Sequence, residues 1–290
     1  MKGFVLKAMN LYDYNTVKRI ISKYGFTFSK ALGQNFLINP DVCPAMADSL
    51  GADDKTGVIE VGAGVGVLTK ELCRVAHKVV SIELDSRLLP VLNETLAECD
   101  NLEIVNGDIM KIDLHSLIRE KFSGCTSVKV CANLPYYITS PVIMTLLESE
   151  LPIDEIVVMV QKEAGERLCA EVGTRQAGAV TVAVNYYAES EILFDVMRDS
   201  FMPSPKVDSV VIKLKLRRAQ GFILKDRKKF FTVVKCAFSQ RRKTALNSIS
   251  NTMGISKGKV SAVFDSLGID KNIRAEKLTM DDFISITDLI

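Results

Sequence analysis

Histidine is scarce in this 290-residue chain: only His77 and His115 occur, and none of the seven cysteines stands in a Cys-x-x-Cys pair. A zinc site needs several such ligands at short spacing, so no metal centre is expected. The odd cysteine count argues against a secreted disulfide framework. Lys2 and Lys7 interrupt the N-terminus before an apolar run develops, so no signal peptide is expected either. Reduced thiols and a cytoplasmic location follow as expectations. Val130 to Leu147 carries no charge and is long enough to rank as a membrane candidate. Asn133, Pro135, Pro141 and several hydroxyls within it predict a buried strand, turn and helix instead.

Acidic residues are nearly missing from one stretch. Met202 to Ser250 holds thirteen Lys and Arg against Asp208 and Asp226 alone, a net +11, so with a total of +2 the remainder is net −9. A solvated helical face is the bland explanation. Clustering this one-sided more often marks a surface for a polyanion, and it makes Arg241, Arg242 and Lys243 candidate phosphate contacts.

What the chain does have is an alternation of short apolar strands and helices from Gly57 onward, the pattern of a doubly wound α/β sheet. Strands are expected at Val58–Val61, Val79–Ile82, Leu102–Val105, Ser127–Ala132 and Ile156–Val160. The β-branched segments Ala179–Tyr187 and Val207–Leu216, flanking a short run at Glu191–Val196, are expected to complete the sheet. Before it, one amphipathic helix is expected at Tyr14–Tyr24 and another, capped at Asn39–Asp41, runs to about Leu50. From Gly221 the character turns helical and basic, with helices expected at Phe230–Phe238, Lys257–Leu267 and Met280–Leu289. The division expected is 1–217 for the sheet domain, including a helical N-terminal extension at 1–55, and 218–290 for a small helical domain.

The stretch Val130 to Ser140 suggests a chemistry. Pro135 fixes its own φ, lacks an N–H and keeps Leu134 out of the helical region, so carbonyls beside Asn133 can face a cleft. The Asn133 amide oxygen and the Leu134 carbonyl would accept both hydrogens of an exocyclic amine such as N6 of adenine, with Tyr136 as a stacking face. An ordinary strand–Pro–helix turn is the alternative. Phe201, ahead of the rigid Met202-Pro203-Ser204-Pro205 loop, would close the other face of a flipped base, or else plug the core beneath the loop.

Gly62-Ala63-Gly64-Val65-Gly66 forms a tight turn into a helix, where backbone can approach a ligand closely. Glu83 ends the second strand, where a carboxylate accepts hydrogen bonds from ribose hydroxyls, and Asp108 ends the third, placed for an adenine amino group. A nicotinamide dinucleotide would use the same edge. Its fingerprint, however, puts a third glycine where Val67 stands, and no His or Lys offers a hydride-transfer site. The set points to S-adenosylmethionine and an N-methyltransferase.

These motifs together resemble the ribosomal RNA adenine N6-dimethyltransferase family, small-subunit branch. The resemblance covers nearly the whole chain. It rests on Leu32-Gly33-Gln34-Asn35-Phe36-Leu37, Glu60-Val61-Gly62-Ala63-Gly64, Ile82-Glu83-Leu84-Asp85, Gly107-Asp108, Asn133-Leu134-Pro135-Tyr136, Phe201 to Ser209, and Phe238 to Thr244. It implies a Rossmann-like, seven-stranded methyltransferase sheet with a helical C-terminal domain. It implies dimethylation of two adjacent adenosines in a hairpin loop near the 3′ end of small-subunit rRNA, on the assembling 30S subunit, by a monomer. By position it implies that Asn35, Leu37, Gly62, Glu83, Asp108 and Asn133 contact S-adenosylmethionine, with Asn133 and Tyr136 also serving the target base. Ala245-Leu246 and Gln176-Ala177-Gly178-Ala179 depart from the family pattern. A DNA adenine methyltransferase, a large-subunit rRNA methylase and a non-catalytic RNA-binding protein on the same fold are the rival readings.

Overall fold

The computed structural model describes residues 9–27, 34–217 and 221–290. Two compact units emerge: one takes in residues up to Lys162 together with Ile192–Lys215, the other Glu163–Glu191 together with Leu216–Ile290. No helix among the described residues is long and apolar enough to cross a membrane.

The first unit opens with α1 (Tyr14–Lys23), β1 (Phe36–Leu37) and α2 (Val42–Ser49). Then come β2 (Thr56–Val61), α3 (Val67–Val75), β3 (Lys78–Glu83), α4 (Leu89–Thr95), β4 (Leu102–Asn106), α5 (Leu114–Lys121), β5 (Ser127–Asn133), α6 (Thr139–Glu148) and β6 (Glu155–Gln161). Every residue of β2 is buried, and β5 and β6 are buried over their apolar centres. That is why these strands read as unbroken apolar runs: helices cover both faces of a parallel sheet.

After α7 (Lys162–Leu168) and α8 (Ala179–Tyr187), the chain returns through β7 (Ala188–Val196), β8 (Phe201–Met202) and β9 (Ser209–Leu216). The seven-stranded sheet has the order β4-β3-β2-β5-β6-β9-β7. Strands β2 to β6 pair in parallel, and β9 enters antiparallel to β6. A separate two-stranded ladder joins β1 to β8, with Phe36 opposite Met202 and Leu37 opposite Phe201. It welds the segment before α2 to the loop before β9.

Ala179–Tyr187 is a helix, not the strand its Val-Thr-Val-Ala-Val alternation suggests. The Thr181 hydroxyl accepts from the Gly178 N–H at 2.9 Å and donates to the Arg167 carbonyl at 2.6 Å, fixing the first turn. Thr181, Val182, Ala183, Val184 and Tyr186 are all buried. A helix apolar on nearly every side carries no 3.6-residue signature, so its β-branched residues mimic a strand.

The second unit also contains α9 (Arg227–Phe238), α10 (Ala245–Met253), α11 (Lys257–Ser266) and α12 (Met280–Leu289). Rings bind α8 to α9: Tyr186 meets Phe231 edge-on at 5.4 Å, and Tyr187 stacks on Phe231 at 5.5 Å. Helix α8 thus belongs with the C-terminal helices, although a single cut at 217 assigns it to the sheet. Helix α10 is an addition to the sequence expectation. Its signals were local, since Thr244 accepts from the Asn247 N–H at its start and Gly254, at φ +68°, ends it.

Gly57 lies in the buried β2, where a Cβ would fall 2.2 Å from the Phe122 ring. Gly57→Ala should therefore lower stability by about 1–3 kcal/mol, as overpacking does. The measurement is the urea midpoint, expected to fall at unchanged slope. Adding Phe122→Leu should recover part of the loss, whereas an unchanged midpoint in the single variant would show that the ring yields freely.

Candidate functional site

Because β2, β3, β4 and β5 run parallel, their carboxyl ends meet at one edge of the sheet, where open α/β folds hold ligands. One cavity opens there. Its lining includes Asn35, Leu37, Gly62, Glu83, Asp108, Asn133, Leu134, Tyr136 and Phe201. All nine base- and cofactor-side residues singled out in the sequence are brought together. Leu32 and Gly33 of the same motif lie outside the described residues.

The turn after β2 depends on glycine. Gly62 sits at φ +83° with nothing within 4 Å of where a Cβ would be, and its N–H donates to the Ile82 carbonyl at 2.8 Å. The turn therefore presents bare backbone to open space. Gly66 adopts φ +91° as it caps α3, and Leu96 comes within 2.9 Å of its missing Cβ.

Glu83 is buried, with each carboxylate oxygen accepting one backbone N–H: Oε2 from Gly64 at 3.0 Å and Oε1 from Asp85 at 2.8 Å. Burial raises its pKa, and those two N–H groups oppose the rise. The carboxylate retains further lone pairs for hydroxyl donors. Asp85, quoted in the motif but given no role, turns out to hold neighbouring segments together. It takes a two-pronged ion pair from Arg87 at 2.8 and 2.6 Å and a hydrogen bond from the Gln34 amide at 2.9 Å. The Arg87 guanidinium lies over the Phe26 ring at 5.1 Å, and Phe26 sits 6.0 Å from Phe36. Asp85 thus ties the end of β3 to the segment carrying Asn35. Its own pKa falls, first through the Arg87 bond.

Across the cavity, Asn133 ends β5, and its carboxamide makes no hydrogen bond among the described residues. The Leu134 N–H closes the sheet ladder on the Met159 carbonyl at 3.3 Å. The turn that follows bonds one residue later, from the Ile138 N–H to the Pro135 carbonyl at 3.1 Å. The Tyr136 hydroxyl is 2.9 Å from Ser209 Oγ on β9, which fixes the half-buried ring. Burial raises the phenol pKa.

Phe201 is buried in the core and also lines the cavity. Its loop is held by Ser200, whose carbonyl accepts the Ile38 N–H at 2.8 Å and whose hydroxyl accepts from Asn39 Nδ2 at 3.1 Å. Asp208 accepts the Arg198 N–H at 3.0 Å. In the second unit, Arg241, Arg242 and Lys243 follow α9, all exposed and with no side-chain partner among the described residues.

Comparison with known proteins agrees with this geometry. The model of the family described as "Ribosomal RNA adenine dimethylase" matches residues 25–290. A protein named "Ribosomal RNA small subunit methyltransferase A" from Geobacillus thermodenitrificans is 46% identical over 276 residues, covering 94% of each chain. Its namesake in Clostridioides difficile is 41% identical over 280 residues, covering 97% of this chain and 96% of the other. A crystal structure of a dimethyladenosine transferase from Plasmodium falciparum aligns at TM-score 0.70 with 26% identity, over 87% of this chain and 95% of that one.

Glu60, the acidic residue that opens the glycine motif, lies fully buried beneath the turn rather than in the cavity wall. Its Oε2 accepts from Thr69 at 2.7 Å and Ser81 at 2.6 Å, while Oε1 has no partner. Burial pushes its pKa up to about 7, from an ordinary 4.5, against the pull of the two hydroxyls. A carboxyl that holds its proton more tightly when folded favours the folded state at low pH. That advantage is lost as the unfolded chain ionises, between about pH 4.5 and 7. Relative to Glu60→Gln, the unfolding free energy should drop across that window by on the order of 3 kcal/mol and then level off. Parallel denaturation curves of the two proteins at every pH would show that Glu60 stays ionised when folded.

Proposed function

The chain belongs to the ribosomal RNA adenine dimethylase family, and on that premise we propose how its residues divide the work. It is an enzyme that dimethylates adenosine N6 in small-subunit rRNA, with S-adenosylmethionine as methyl donor. The observation that carries the assignment of roles is one cavity lined by both a buried carboxylate and an unengaged asparagine amide. A glycine turn, a carboxylate at the end of β3 and Asp108 after β4 suit a nucleoside with a hydrophilic tail. Asn35, Leu37 and Gly62 complete that half.

S-adenosylmethionine, when bound, supplies an electrophilic methyl on a sulfonium. The protein's task is then chiefly placement, which in favourable intramolecular reactions is worth roughly 7–11 kcal/mol. Asn133 Oδ1 and the Leu134 carbonyl accept the two amine hydrogens and turn the nitrogen lone pair toward the methyl. Tyr136, held through its hydroxyl by Ser209, supplies one flat face for the base, and Phe201 borders the other side. Extracting a base from its stack costs a few kcal/mol, least where it is already unpaired, which favours an RNA loop as target. The exposed Arg241, Arg242 and Lys243 of the second unit bind phosphates of the RNA backbone. We assign the substrate to two adjacent adenosines in a hairpin loop near the 3′ end, met on the assembling 30S subunit by a cytoplasmic monomer.

Two substitutions separate the halves. Glu83→Ala should weaken S-adenosylmethionine binding by roughly 1.5–3 kcal/mol, read by calorimetry without RNA. Asn133→Ala should instead reduce turnover on unmethylated small subunits. Full turnover in the second variant would remove the amine grip, and unchanged calorimetry in the first would remove Glu83 from the cofactor site.

Replacing Arg241, Arg242 and Lys243 together with Ala should weaken RNA binding and flatten its dependence on log salt by about 0.7–0.9 for each phosphate no longer neutralised. Cofactor affinity should not change. A salt slope equal to that of the wild type would assign the three residues a structural role.

A further inference from the structure

One aromatic ring at the cavity remains without a task. Tyr137 follows Tyr136 in the short turn before α6, lines the same cavity, and is 54% exposed. The two neighbours are treated differently by the fold. Tyr136 is half-buried and anchored to Ser209, whereas Tyr137 makes no hydrogen bond or ring contact among the described residues. Two other exposed apolar side chains follow neighbouring strands at the same edge of the sheet. Leu84, just past β3, is 49% exposed and also lines the cavity. Met110, just past β4, is 43% exposed and is linked to α6 by the Thr145 hydroxyl, 3.6 Å from its sulfur. Tyr137 carries no charge, so what it chiefly presents at the cavity is the face of its ring. It offers a flat, dry surface, which is what an unstacked base lacks.

We propose that Tyr137 is a stacking platform for the base next to the one being methylated. The inference rests on the reading above, because it takes the substrate to be one of two adjacent adenosines. When one of them leaves the loop for the Asn133–Tyr136 pocket, its neighbour loses a stacking partner on that side. The Tyr137 ring, one residue along the chain from the ring under the target base, replaces that partner. Each adenosine then uses the two tyrosines in turn: Tyr136 when it is the target, Tyr137 when it is the neighbour. Tyr137 is in this sense a positioning residue; it touches the RNA beside the reacting nucleotide and takes no part in methyl transfer.

The test compares Tyr137→Ala, Tyr137→Leu and Tyr137→Phe, using S-adenosylmethionine and small subunits lacking the modification. Stacking one base on an aromatic side chain corresponds to roughly 5- to 150-fold in affinity. Tyr137→Ala should raise KM for the particle within that range, leaving the thermal midpoint and the cofactor Kd measured without RNA unchanged. Tyr137→Phe should restore KM to about the wild-type value, and Tyr137→Leu should not, since a π face rather than apolar bulk is required. An unchanged KM in Tyr137→Ala overturns the proposal, as does full rescue by Leu. A cofactor Kd that rises without RNA also overturns it, by showing that Tyr137 covers the cofactor. If the wild-type protein transfers no methyl to the particle, the reading of the substrate fails first, by a signature that none of the Tyr137 outcomes shares.

Discussion

The site is assembled around the hydrogen bonds that the Glu83 carboxylate makes with two backbone N–H groups. One comes from Gly64 in the turn after β2, the other from Asp85 in its own turn. A buried carboxylate without such partners would be neutral or would push the structure apart. With them it draws the glycine turn against the end of β3 and sets where that turn begins its helix. Asp85 then carries the constraint outward to Gln34 and Arg87, so the segment before α2 takes its position from β3. The cavity is built from neighbouring strand ends, and one charge network ties the segment before α2 to them.

Most of the sheet was legible from residues alone. The β2–α3–β3 unit and the strand leading into Asn133 fall where apolar runs and breaker residues place them. Gly62, Glu83, Asp108 and Asn133 were legible for the same reason: each ends a strand or opens a turn, where such residues stand out against an apolar background, whereas Asn35 and Leu37 came from the family resemblance alone. What failed was periodicity under deep burial. Helix α8 reads as a strand because packing covers almost its whole circumference, and the rings of Tyr186 and Phe231, far apart in sequence, decide its state. Asp85 was visible as a motif letter but not as the tie to Gln34, since a hydrogen bond spanning 51 positions leaves no local trace.

Two carboxylates near the glycine turn show how environment separates like groups. Glu83 meets backbone N–H groups and borders the cavity, whereas Glu60 meets only hydroxyls and is sealed from solvent. Burial raises both, and Glu60 far enough to carry its proton near neutral pH. Like groups beside one turn thus differ by their surroundings: Glu83 borders the cavity, and Glu60 is shut beneath it, where burial first and then the neighbouring Glu83 raise its pKa.

The two-residue ladder between β1 and β8 has a thermodynamic meaning beyond closing the cavity. Asn35 stands immediately before one strand of that ladder, and Phe201 belongs to the other, so the two cannot be displaced independently. Were a ligand to order one lip, less entropy would remain to be lost at the other, and binding at the two would be linked. Such linkage is reciprocal: whatever occupancy of one side does for the other, the reverse holds by the same factor. An affinity for either ligand is then a property of this protein only together with the concentration of its companion.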